Sequence, residues 1–106
     1  MSGVTTHVLD TARGLPASGV PVRLEAPDGS VATAVTDDDG RVTELGAATT
    51  QRGTYRLVVD TATYFAETGQ QAFYPEVVVT FEVTEPGHHH VPLLLSPFAY
   101  STYRGS

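Results

Sequence analysis

The chain is 106 residues long, 41% hydrophobic and 17% charged, which suits one domain spanning residues 1–106 with a modest core. A net charge of −6 disfavours a nucleic-acid partner, because neutralising phosphates takes a basic stripe. The absence of cysteine excludes disulfides, thiolate zinc sites and cysteine nucleophiles.

Met1-Ser2-Gly3-Val4-Thr5-Thr6-His7 lacks the basic start and apolar run of a secretory signal. No apolar run reaches bilayer-spanning length, so the expectation is a cytoplasmic protein without membrane contact. From Val4 to Asp10 the residues alternate, with Val4, Thr6 and Val8 on one face and Thr5, His7 and Leu9 on the other. Val20, Val22 and Leu24 alternate with Pro21, Arg23 and Glu25, and Pro27-Asp28-Gly29-Ser30 reads as a hairpin turn. Val31, Thr33 and Val35 belong to the returning strand. Asp37-Asp38-Asp39-Gly40 makes the next turn, and a short strand starts at Arg41.

Tyr55, Leu57 and Val59 share one side of a strand over Thr54 to Val59. Asp60 to Gly69 differs: it offers an acidic or hydroxyl N-cap, about two helical turns and a glycine stop. Between Val77 and Thr84, Val77, Val79, Phe81 and Val83 face in while Val78, Thr80, Glu82 and Thr84 face out. Pro86-Gly87 ends that strand. Two more follow, at about His88 to Leu95 and Phe98 to Tyr103. About eight strands and one short helix predict an all-β, two-sheet sandwich.

Filling the core with Val91, Leu93 and Leu95 puts His88, His90, Pro92 and Leu94 on the outer face. A face bearing imidazoles beside Leu94 is odd as plain solvent surface, and a second subunit covering it would create a polar-edged cleft. His88 and His90 at i, i+2 have chelating spacing, with His7 or an acid to complete a zinc set. Surface hydrogen bonding is the ordinary role for such histidines. The aspartate-rich turn fails a calcium register, which would place Val35 first and Gly46 twelfth. Arg41 can hold an anionic or carbonyl-rich substrate, although a salt bridge to the neighbouring aspartates is the default expectation for its residue type. Phosphate-binding glycine loops, nucleophile elbows and dinucleotide fingerprints are absent from the sequence.

Three blocks stand out together. They are His7-Val8-Leu9-Asp10-Thr11 with Gly14 and Pro16-Ala17, then Thr36-Asp37-Asp38-Asp39-Gly40-Arg41, and finally His88-x-His90-Val91-Pro92-Leu93-Leu94-Leu95-Ser96-Pro97 with Tyr100-Ser101-Thr102-Tyr103-Arg104-Gly105-Ser106. Over nearly the whole chain they resemble the 5-hydroxyisourate hydrolases, the transthyretin-related enzymes of urate breakdown. The terminal Tyr-Arg-Gly-Ser discriminates most strongly, because transthyretin, a hormone carrier on the same fold, lacks it. His89 departs from the tyrosine common in the family.

The resemblance implies a transthyretin-like homotetramer with active sites where subunits meet. It implies ring-opening hydrolysis of a cyclic amide in 5-hydroxyisourate to 2-oxo-4-hydroxy-4-carboxy-5-ureidoimidazoline, with no cofactor and no metal. Carried over by position, the catalytic residues are His7, Arg41, His90 and Ser106, and the substrate-binding residues are His7, Arg41 and Tyr103. Arg104 ranks below them as a structural anchor of the tail. Either His7 or His90 can serve as general base. A small-ligand carrier without catalysis is the alternative.

Overall fold

Alternating β-branched residues with polar neighbours build two sheets that enclose one apolar layer. The structure, a computed structural model, describes residues 3–45 and 51–106; Met1, Ser2 and Gly46 of the readings above lie outside them. The strands are β1 (Gly3–Asp10), β2 (Leu15–Pro16), β3 (Pro21–Glu25), β4 (Val31–Val35), β5 (Arg41–Leu45), β6 (Gly53–Val59), β7 (Val77–Val83), β8 (His88–Ser96) and β9 (Ala99–Thr102), with helix α1 (Thr61–Glu67) between β6 and β7. One sheet runs β2-β1-β8-β9, with β5 also paired to β1; the other runs β4-β3-β6-β7.

The all-β sandwich expectation holds. Among the described residues nine strands are present rather than about eight. The extra one is β2, two residues pairing Leu15 and Pro16 with Asp10 and Leu9, too short to show any alternation.

Inward positions follow the period of two. Val4 and Val8 of β1, Leu57 and Val59 of β6, and Leu93 and Leu95 of β8 are fully buried with Phe65 of the helix. Each such side chain contributes about 1.5–3 kcal/mol by leaving water. Thr6 shares this face and satisfies its hydroxyl by donating to the Val91 carbonyl at 2.6 Å.

The helix starts and stops as its residue types predict. Asp60 caps it by accepting from the Thr63 N–H at 3.1 Å. At the other end Gln70 N–H bonds the Phe65 carbonyl and Gly69 N–H the Ala66 carbonyl, with Gly69 at φ +69°, a Schellman arrangement. Buried Asp10 pins this helix to β1, accepting from the Tyr64 hydroxyl at 2.6 Å and the Gln70 amide at 3.0 Å. Burial alone would raise the Asp10 pKa. Those two bonds, with backbone N–H groups of Arg13 and Ala12, hold it below the ordinary 3.8. Burial and then the Asp10 carboxylate push Tyr64 up to about 12.

Candidate active site

The central pairing of the molecule is parallel: β1 lies beside β8 with Thr5 opposite His90 and His7 opposite Pro92. On its other side β1 pairs antiparallel with β5, His7 opposite Arg41. Registered neighbours point to the same face. The outward side of three adjacent strands therefore brings Arg41, Thr5, His7, His88 and His90 together, although they come from distant stretches of chain.

Gly40 delivers Arg41 to that face. At φ +74° it closes the acidic turn, its N–H bonding the Asp37 carbonyl, and a side chain there would run into the Val8 carbonyl oxygen. Asp37 spends its Oδ1 on the backbone N–H groups of Asp39 and Arg41, both at 2.9 Å. The expected salt bridge from Arg41 to these aspartates is not formed. The one ion pair among the described residues is Arg23–Glu25 at 3.0 Å, and the carboxylate that accepts next to Arg41 accepts from its backbone.

An open cleft of about 430 Å³ lies on this face, lined by Thr5, Arg41, Thr43, His88, His90 and Ser106 among others. The Thr5 hydroxyl sits 2.8 Å from His88 Nε2 and 2.7 Å from His90 Nδ1. The two imidazoles are stacked with centroids 6.2 Å apart. They thus converge on a hydroxyl, and no metal-ligating cluster of three or more His, Asp or Glu side chains occurs among the described residues. His7 is held differently, its Nε2–H donating to the Asp39 carbonyl at 2.9 Å.

The tail closes onto this cleft. Strand β9 pairs with β8, and beyond it the Gly105 N–H donates to the His90 carbonyl at 2.9 Å. A Cβ at Gly105 would stand 2.5 Å from His90 Cδ2, so only glycine lets the backbone lie against that ring. Ser106 thereby reaches the cleft wall.

Burial, followed by the nearby charges of Arg41, His88 and His7, holds the His90 imidazole below its ordinary pKa of 6.5. His90 is therefore neutral at physiological pH, with a lone pair to accept a proton.

Arg41, His90 and Ser106 share the cleft lining; His7 flanks it on the same face. Tyr103 is 60% exposed and lines an adjoining apolar cleft of about 230 Å³ with Val79, Phe81 and Arg104, which His90 also borders. His89 faces inward, 9% exposed, its Nδ1–H donating to the Gly87 carbonyl at 3.1 Å. Thr5, the hub between two histidines, was missed by sequence reasoning. Its face was readable from alternation, but its partners became visible only with the parallel β1–β8 pairing.

Comparison with known proteins bears on the family and the fold. A family model described as HIUase/Transthyretin family matches residues 4–105. The 5-hydroxyisourate hydrolase of Mus musculus is 50% identical over 113 residues, covering 99% of this chain and 96% of that protein. The structure of Klebsiella pneumoniae 5-hydroxyisourate hydrolase superposes with a TM-score of 0.90 at 36% identity, covering 99% of this chain and 100% of that one. Sea bream transthyretin in complex with thyroxine superposes at 0.85 with 32% identity, covering 96% and 93%. The matched family model, the near full-length relatives and the shared fold show that the chain belongs to the HIUase/transthyretin family.

Proposed function

We propose that this chain, as one domain of residues 1–106, hydrolyses 5-hydroxyisourate by opening its six-membered ring at a cyclic amide. The observation that carries the reading is the convergence of His90, Arg41 and Ser106 on one cleft, with the tail bonded to the His90 backbone. The Mus musculus and Klebsiella pneumoniae hydrolases, similar over nearly their full lengths, support the same substrate.

His90 is the general base. Its lowered pKa leaves it neutral at pH 7, and it accepts a proton from water as the water oxygen bonds the amide carbonyl carbon. Arg41, without a partner carboxylate among the described residues, stabilises the negative charge that develops on the carbonyl oxygen. The carbon–nitrogen bond then breaks, and the leaving nitrogen takes the proton back from His90. His7 binds and orients the substrate with the ring nitrogen left free by the Asp39 carbonyl. Tyr103 packs on the flat ring, and Ser106 orients the water. No cofactor enters these steps.

In a homotetramer the outer face of β8 would meet a second copy. Half-buried Leu94 on that face, and Phe98 and Tyr100 at 63% and 43% exposure near the far end of β8, supply apolar surface for such a contact. Among the described residues no helix is long and apolar enough to cross a membrane, and a cytoplasmic site of action fits an enzyme of purine breakdown.

The test generates 5-hydroxyisourate in situ from urate with urate oxidase and follows its decay with and without the protein. Acceleration over the spontaneous rate is expected. Tight retention of the compound without turnover would support the carrier reading instead, and a stable monomer on sizing would contradict the intersubunit site.

A further inference from the structure

We propose that Thr5 is a positioning residue for this reaction, its hydroxyl holding His90 with Nδ1 protonated and Nε2 free while linking it to His88 as a proton store. The inference rests on the hydrolase reading of the cleft. Its ground is that one hydroxyl, at 2.7 and 2.8 Å, serves two imidazole nitrogens. A hydroxyl carries a single proton, so it donates to at most one of them and must accept from the other.

Three arrangements satisfy that count for neutral rings. In one, His88 Nε2–H donates to Thr5, which donates to His90 Nδ1; His90 Nε2 then carries the proton and is no base. In the second, His90 Nδ1–H donates to Thr5, which donates to His88 Nε2, and His90 Nε2 keeps its lone pair. In the third, both rings donate to the Thr5 oxygen, which also frees His90 Nε2 but gives no proton path to His88. The second alone both leaves a base on His90 and links it to His88.

Other groups around His90 leave its Nε2 open, as the second arrangement requires. Arg41 from β5, His7 from β1 and Ser106 of the tail meet it on this face, and among the described residues none donates a hydrogen bond to Nε2. Gly105 lies against the adjacent Cδ2 and leaves that edge uncluttered by a side chain. Nε2 is thus the nitrogen that meets water.

The link also moves charge. Once His90 Nε2 has taken the water proton, the Nδ1 proton passes to Thr5 Oγ1 as the Thr5 hydroxyl proton passes to His88 Nε2. The positive charge then rests on exposed His88 rather than on half-buried His90 beside Arg41. The reverse transfer restores the imidazolium, which protonates the leaving nitrogen. Every proton is conserved within the pair, and no further reactant is needed.

Thr5→Val removes the hydroxyl at nearly constant volume, and Thr5→Ser restores it. The Val variant is expected to lose about tenfold or more in kcat with KM little changed, and to displace the acid limb of the kcat–pH profile. The Ser variant should recover most of the rate and the wild-type profile. Two-bond nitrogen–proton spectra of histidine-labelled wild-type protein, assigned with His88→Gln and His90→Gln, should show His90 protonated at Nδ1. Wild-type kcat and pH profile in Thr5→Val would overturn the proposal, as would His90 protonated at Nε2. The spectra decide the question even where Thr5→Val fails to fold. They also separate the two readings, because the tautomer can be read whether or not 5-hydroxyisourate is turned over.

Discussion

The two faces of the β1–β8 pair are built from the same strands and do different work. Inward, Val4, Val8, Leu93 and Leu95 are fully buried, and each polar group is tied to a fixed partner, Thr6 to the Val91 carbonyl, Asp10 to Tyr64 and Gln70, and His89 to the Gly87 carbonyl. Outward, Thr5, His88 and His90 hold their polar atoms in a chain of bonds open to a cleft, and His7 beside them is bonded to the Asp39 carbonyl. A period of two separates the faces completely, so stability and chemistry can be altered one at a time. The cost of a substitution should therefore depend on which face carries it.

Leu93→Ala cuts the inner face and should show the largest effect. Removing a fully buried leucine is expected to lower unfolding free energy by about 2–5 kcal/mol, measured by urea titration, with kcat per folded molecule little changed. Arg41→Ala cuts the outer face. Its loss should slow 5-hydroxyisourate turnover by about a hundredfold while the urea midpoint stays near wild type, since Arg41 forms no ion pair among the described residues.

Gly105→Ala sharpens the comparison further. Its methyl would press on the His90 ring, displacing the tail, and about a tenfold loss of rate with little change in stability is expected from steady-state kinetics. The smallest effect is that of pH. His90 titrates below 6.5 when folded and at its ordinary value when unfolded, so in the window between the two the unfolded chain binds more protons. This group's contribution to stability therefore falls as pH drops through that window and is constant above 6.5. Activity should likewise fall on the acid side, below 6.5, as the base becomes protonated. Thermal midpoints and kcat measured in parallel across mildly acidic pH check both.

Local signals in the sequence reached far into this fold. Alternation found the core faces of β1, β3, β6, β7 and β8, and the Asp60 cap and Gly69 stop bounded the helix. Outer-face positions for His7, His88 and His90 were legible in the same way. Long-range pairing was not. The choice of β8 as the parallel neighbour of β1, which joins Thr5 to two histidines, depends on contacts spanning more than eighty residues. Nor did residue type reveal that Asp37 would serve backbone N–H groups rather than the Arg41 guanidinium, because turn geometry decides that competition. Strand β2 left no pattern, being two residues held by β1 alone.

His90→Ala tests the central claim most directly, assayed on in situ 5-hydroxyisourate decay alongside a thermal unfolding midpoint. The account predicts a decay rate lowered by about a hundredfold or more toward the spontaneous value, with the midpoint within a few degrees of wild type. Wild-type turnover in a folded His90→Ala protein would contradict it.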